Sequence, residues 1–204
     1  MKKQHLAAVA VITLVIASLF AIWQQYHPSQ TNTPELGLSQ KPKGGDFTLI
    51  SVKGPVSLHD FKGKLILLYF GYTYCPDICP TNLSSLALAY QQLPKALQEK
   101  TQILFISVDP QRDTPKHLQQ YSDYYQANII GLTGSRQQID EVVKRYGAVY
   151  VIHQKANESH YSVDHSAFTY VIDPQGKWVT QMPHGSTPKD YIQIIQQQLG
   201  EKTP

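Results

Sequence analysis

The chain has 204 residues, 42% of them hydrophobic and 16% charged, with a formal net charge of +3. That length supplies one globular domain with a real core and not comfortably two. The 18 Lys and Arg stand against 15 Asp and Glu and are scattered, without a basic run or aromatic–basic interleaving, so nucleic acid is not the expected partner.

Lys2 and Lys3 precede an uncharged run, LAAVAVITLVIASLFAIW, from Leu6 to Trp23. At about 1.5 Å per residue it makes about 27 Å of helix, near the hydrocarbon thickness of a bilayer. A retained transmembrane anchor and a cleaved secretory signal compete for this stretch. The following residues lack a small-residue cleavage site, which favours the anchor. Residues 1–5 are then cytoplasmic, residues 6–23 cross the inner membrane once, and the rest is expected in the bacterial periplasm, where a disulfide can persist. Residues 24–45, polar and rich in Pro, Gln and Ser, read as a flexible tether spanning about 25 Å root-mean-square.

Residues 46–204 form the expected domain. Phe47 to Ile50 and Val56 to Phe61, separated by Lys53-Gly54-Pro55, predict an N-terminal β-hairpin. Lys64 to Tyr72 is nearly all apolar, as suits a central strand buried on both faces. Leu83, Leu86, Leu88, Tyr90, Leu93 and Leu97 mark a helix that Pro94 kinks or divides. Gln102 to Asp109 predicts a second buried strand, and a helix then begins at Pro115 with Thr114 as cap. Arg136 to Gly147 reads as an amphipathic helix between a Ser135 cap and a glycine stop. Ala148 to Ile152, Ala167 to Asp173 and Trp178 to Met182 are strands, the last two joined by a Pro-Gln-Gly-Lys turn, and a final helix ends at Gly200. The order implies an α/β sandwich around a central mixed sheet, with the loop after the first buried strand where open α/β sheets place their chemistry.

That loop, YTYCPDICPTN, holds both cysteines of the chain, Cys75 and Cys79. Across a helix start their Cα atoms lie about 6 Å apart, within disulfide range. A loop this short constrains the unfolded chain little, so a structural staple is a poor reading. A helix N-terminus favours thiolate through free backbone N–H groups and the helix dipole, Pro76 and Pro80 restrict the backbone, and Tyr72 and Tyr74 are placed to shelter the sulfurs. A redox pair or a metal site fits better. Two thiolates are few for zinc but suit Cu(I) when an imidazole joins them.

Of the eight histidines, His5, His27, His59 and His117 read as surface residues, while His153, His160, His165 and His184 fall in the second half. His165, with Asp164 beside it, ends a loop just before a buried strand. A lone histidine there is structural by default.

The motifs CPDICP (Cys75 to Pro80), SVDPQRDTP (Ser107 to Pro115) and YSVDHS (Tyr161 to Ser166), in that order, closely resemble the Sco/SenC family over about Asp46 to Gly200. Its members are membrane-tethered copper chaperones that help assemble the dinuclear copper centre of cytochrome c oxidase. The resemblance implies a thioredoxin-like fold in which Cys75, Cys79 and His165 bind one copper, as Cu(I) and/or Cu(II). His160 matches no ligand position. Asp77 and Asp164 are expected to orient the ligands or accept hydrogen bonds beside them. Arg112 and Asp113 are expected either to pair as ions bracing the same face or to cap the next helix. The implied role is that of a metallochaperone rather than an enzyme, delivering copper to the copper-accepting oxidase subunit, with loading gated by oxidation of the cysteine pair. A thiol-disulfide reductase acting on the recipient's cysteines is the alternative, as is a copper or redox sensor. The sequence departs from thioredoxin in having CxxxC rather than CxxC. It also lacks the peroxiredoxin Pro-x-x-x-Thr-x-x-Cys pattern, since Leu68 and Tyr72 precede Cys75 and Tyr72 and Pro76 precede Cys79 at those positions, which disfavours a peroxidase.

Overall fold

The computed structural model describes residues 17–20, 23, 42–154 and 160–200. The chain divides into two units, residues 1–40 and 41–204. In the first, residues 17–20 and Trp23 are helical and exposed. The rest of the anchor expected over 6–23, and residues 24–41 of the tether, lie outside the described residues. Among the described residues no helix is long and apolar enough to cross a membrane.

In the second unit, Gly44 N donates to the Arg145 carbonyl at 2.9 Å and Tyr146 Oη to the Gly45 carbonyl at 3.0 Å. Residues 44 and 45, assigned to the tether above, are therefore fastened to the domain. β1 (Thr48–Ser51) and β2 (Gly54–Ser57) pair antiparallel. The predicted second arm of this hairpin stops at Ser57 instead of running to Phe61. Ser57 Oγ accepts from His59 N, and the Asp60 carboxylate accepts from Ser57 N, a capping box that starts a single 3-10 turn over Leu58–Phe61.

β3 (Leu65–Gly71) is buried along its whole length, as is β4 (Thr101–Ser107). They pair in parallel, while β3 pairs antiparallel with β8 (Thr169–Ile172). With β5 (Ile129–Leu132) and β9 (Trp178–Met182) the sheet order is β5-β4-β3-β8-β9, the mixed sheet of a thioredoxin-like α/β fold. Alternation along the strands feeds two cores. Ile66, Leu68, Phe70, Leu104 and Ile106 pack with Ile139, Val142 and Val143 of α4 (Arg136–Arg145). Leu65, Leu67, Tyr69, Ile103 and Phe105 pack on the other face. There they meet α1 (Ile78–Gln92), α2 (Lys95–Glu99), α3 (Pro115–Asp123) and α5 (Pro188–Leu199).

Pro94 divides α1 from α2, because Leu93 before it takes an extended conformation, φ −70° and ψ 145°. Thr114, Ser135 and Thr187 each cap their helices through the side-chain oxygen. Two strands were not predicted. β5 has only four residues, too few to show a period, and Gly131 in it admits the Leu118 side chain of α3, which would lie 2.7 Å from a Cβ there. β7 (Ser162–His165), read above as loop, pairs with β6 (Tyr150–His153) in a separate two-stranded sheet.

Leu68 is fully buried in the centre of β3. Leu68→Ala is expected to lower unfolding stability by about 2–5 kcal/mol, checked by denaturant titration.

Candidate metal centre

The parallel pairing of β3 and β4 ends at Gly71 and Ser107. At that edge the chain turns, with Cys75 N donating to the Tyr72 carbonyl at 3.3 Å, and α1 begins with Asp77 as N-cap. Cys79 therefore falls in the first helical turn, and its backbone N–H points back to Cys75 Sγ at 3.4 Å. Cys79 is fully buried against the end of β3. A Cβ at Gly71 would lie 2.6 Å from Cys79 Sγ and 2.8 Å from the Phe105 ring, so only glycine leaves room for the sulfur.

His165 reaches the same edge on β7. Strand alternation buries Val163, exposes Asp164 and turns His165 inward again. Val163 N donates to Tyr72 Oη at 3.3 Å, tying the strand to the cysteine loop. The imidazole stands edge-on to Tyr69 and Tyr72, with ring centroids 6.0 and 5.9 Å away. Its Nδ1 lies 3.1 Å from the Ser166 carbonyl. A carbonyl can only accept, so Nδ1 carries a hydrogen and Nε2 is the nitrogen that faces the sulfurs. Nε2 lies 3.2 Å from Cys79 Sγ. The ligand atoms of Cys75, Cys79 and His165 all fall within 4.8 Å of one another. No other group of three His, Cys, Asp or Glu able to hold a metal occurs among the described residues. The centre opens on a cavity of about 450 Å³ lined by Tyr72, Cys75, Asp77, Ile78, Val163 and His165 among others.

Both cysteines are free thiols, and their environments differ. The Cys79 thiol holds the Cys75 sulfur down to a pKa of about 3, chiefly by hydrogen bonding to the thiolate; burial opposes this, and His165 and the backbone N–H groups of Cys79 and Asp77 add to it. Burial, and then the Cys75 thiolate beside it, push the Cys79 thiol well above the ordinary range. The resting pair is thus one accessible thiolate beside one buried protonated thiol. Tyr69 below them is held far above its usual pKa by burial first and by Cys79 second, and stays a neutral phenol.

Asp77 meets Cys75 through its backbone N–H, while its exposed carboxylate lies 3.4 Å from Thr81 Oγ1. The exposed Asp164 carboxylate pairs with His153 Nε2 at 2.7 Å, at the rim of the same cavity. The expected Arg112–Asp113 ion pair does not form. Arg112 Nε pairs with Asp109, three residues back, because residues three apart in a turn face each other and adjacent ones do not. Asp113 is instead buried beneath the cysteine loop, accepting from Thr73 N at 3.0 Å, Thr73 Oγ1 at 2.5 Å and Ser107 Oγ at 2.6 Å. Tyr74 is exposed and stands against His117 and Arg112 rather than over the sulfurs. Tyr69 and Gly71, which shape the centre, lie unremarked in an apolar strand whose sequence pattern gives no signal of a site. His160 and His184 are exposed.

Two thiols and an imidazole at the carboxyl edge of a thioredoxin-like sheet define a domain that handles metal or disulfide chemistry through sulfur. The chain belongs to the SCO1/SenC family, whose model matches residues 37–200. It is 37% identical over 196 residues to an SCO2-like protein of Rickettsia conorii, an alignment covering 90% of this chain and 94% of the relative. The copper-bound structure of Arabidopsis thaliana ScoI superposes with a TM-score of 0.69 at 33% identity, covering 77% of this chain and 98% of that one. BsSco, described as a Sco-family cytochrome c oxidase assembly protein with a disulfide switch, superposes with a TM-score of 0.58 at 25% identity, covering 80% and 98%.

The metal-free reduced protein is expected to be alkylated at Cys75 first, at a thiolate fraction nearly constant from about pH 8 down to about pH 5, whereas an ordinary thiol loses about tenfold per unit below its pKa. Cys79 should react only on unfolding. Mass mapping of iodoacetamide adducts against pH checks both statements. Gly71→Ala is expected to displace Cys79 and make it reactive in the folded protein, measured by the same mapping.

Proposed function

We propose that this domain is a copper metallochaperone that holds one copper with Cys75, Cys79 and His165 and delivers it to the copper-accepting subunit of cytochrome c oxidase. The observation that carries this reading is the convergence of two sulfurs and one imidazole nitrogen within 4.8 Å at the wall of an open cavity. The donor set is soft, as Cu(I) prefers, and the Ser166 carbonyl already orients the imidazole, as the outer partner of a metal-bound histidine does. An open three-ligand site also permits exchange, since an incoming ligand can add before a resident one leaves. Copper-bound relatives such as the Arabidopsis protein support the choice of metal. Anchoring by residues 6–23 in the bacterial inner membrane, with residues 24–45 as tether and the domain in the periplasm, completes the proposal and places the centre beside a membrane-embedded recipient.

Oxidation of the pair to a Cys75–Cys79 disulfide releases two electrons to an oxidant and the Cys79 proton to solvent. It also removes two copper ligands at once, so redox state gates loading. The same asymmetry favours a second reading, a thiol-disulfide reductase. Cys75, the accessible thiolate, would attack a recipient disulfide, and Cys79 would resolve the mixed disulfide.

His165 separates the two. Anaerobic titration of the reduced protein with Cu(I) is expected to end at one equivalent. His165→Ala should weaken binding more than about tenfold, about 1.4 kcal/mol, and impair oxidase maturation while thiol-disulfide exchange persists. Cys75→Ser should abolish both activities. Normal maturation in His165→Ala cells would favour the reductase.

A further inference from the structure

The motif SVDPQRDTP supplies none of the three ligand atoms, yet it touches both segments that carry them. Toward the cysteine loop, the buried Asp113 carboxylate holds Thr73, two residues before Cys75. Toward the His165 strand, Asp109 and Arg112 act together on Tyr161. Asp109 is fully buried, and its carboxylate accepts from Arg112 Nε and from Tyr161 Oη at 2.8 Å. Arg112 Nη1 donates to the Tyr161 carbonyl at 2.9 Å. The guanidinium carbon lies 3.5 Å from the centroid of the Tyr161 ring and 4.9 and 5.5 Å from those of Tyr74 and Tyr72. One planar cation thus joins the turn after β4, two tyrosines of the cysteine loop, and the residue just before β7.

The two ligand-bearing segments differ in what else holds them. The cysteines are set by the buried end of β3 and by the first turn of α1. β6 and β7 form only a two-stranded sheet outside the main one, and such a pair is marginal by itself. Tyr150 of β6 is fastened to Arg136 and Asp140. On the β7 side, besides the burial of Val163 in the core, the polar fastenings include the Val163–Tyr72 hydrogen bond and the Arg112–Tyr161–Asp109 group. The side chain of Arg112 is 15% exposed and its Nη2 is buried without a hydrogen-bond partner. A partly unsatisfied buried cation does not maximise stability, which points to a part in placing its neighbours.

We propose that Arg112 is a positioning residue of the metal centre: through Tyr161 and Asp109 it clamps the β6–β7 hairpin to the cysteine loop and keeps His165 Nε2 within reach of the sulfurs. The inference rests on the reading of Cys75, Cys79 and His165 as the copper ligands. It assigns the second motif a task distinct from ligation, and it makes the third ligand separable from the cysteine pair.

The test is a double-mutant cycle on Cu(I) affinity, measured anaerobically in the full-length chain by competition with a chromophoric chelator. Arg112→Ala is expected to weaken Cu(I) about ten- to hundred-fold, and to add little in a His165→Ala background. Arg112→Lys should keep most of the loss, because an ammonium cannot both donate in a fork and stack. In the metal-free protein, amide exchange should quicken at Val163 and stay unchanged in α1, and thiol-disulfide exchange should continue. If Arg112→Ala does not fold, Arg112→Lys and Tyr161→Phe carry the cycle, the latter with a smaller loss that likewise vanishes without His165. An equal loss in both backgrounds, or wild-type affinity in the Arg112 variants, overturns the inference while leaving the copper site intact. Affinity that does not depend on His165 in the wild-type chain overturns the copper-site reading and this inference with it.

Discussion

The candidate metal centre depends first on the pairing of β3 with β8. This antiparallel pairing sets Tyr69 opposite Thr169, so the chain entering β8 must pass the edge where β3 releases the cysteine loop. His165 stands four residues before Thr169, close enough that a short hairpin delivers its imidazole to the sulfurs, 86 residues from Cys79 in sequence. The parallel partner β4 ends at the same edge and sends out the turn that carries Asp109, Arg112 and Asp113. Three loops therefore meet at one edge because the central strand has a parallel neighbour on one side and an antiparallel neighbour on the other.

Close packing then differentiates the two cysteines. Cys79 follows the axis of α1 into the core, where Gly71 leaves space for its sulfur and the surroundings oppose its charge. Cys75, at the mouth, gathers hydrogen bonds to its thiolate. A pair with one charged and one neutral sulfur avoids placing two anions side by side in a medium of low dielectric. On the proposed reading, a monovalent copper cation would supply the positive charge that lets the second thiol ionise, and metal binding would be coupled to proton release at Cys79.

Several features were legible in the sequence because their causes are local. The two buried strands announced themselves as largely apolar runs, two of the helices by Thr114 and Ser135 at their caps, and the division of the long helix by Pro94. The cysteine loop could be placed at a helix start, and the shortness of the loop a disulfide would close made a structural staple a poor reading. β5 escaped because four residues carry too little period. β7 escaped because its alternation, exposed Ser162, buried Val163 and exposed Asp164, packs against a tyrosine of a distant loop rather than against a continuous sheet. Tyr69 and Gly71 were hidden for a related reason: an apolar strand looks the same whether its end faces helix or ligand.

The sequence by itself determined which two strands form the buried centre, where several helices start, and that two cysteines share a helix entrance, since these follow from side-chain chemistry within a few positions. Tertiary structure decided the partners. It brought His165, which the resemblance had already singled out, to the sulfurs, turned Asp164 outward to His153, and gave Arg112 to Asp109 and Tyr161 while sending Asp113 beneath Thr73. Each choice depends on which way a side chain faces once strands are in register, and register is set by burial across the whole sheet.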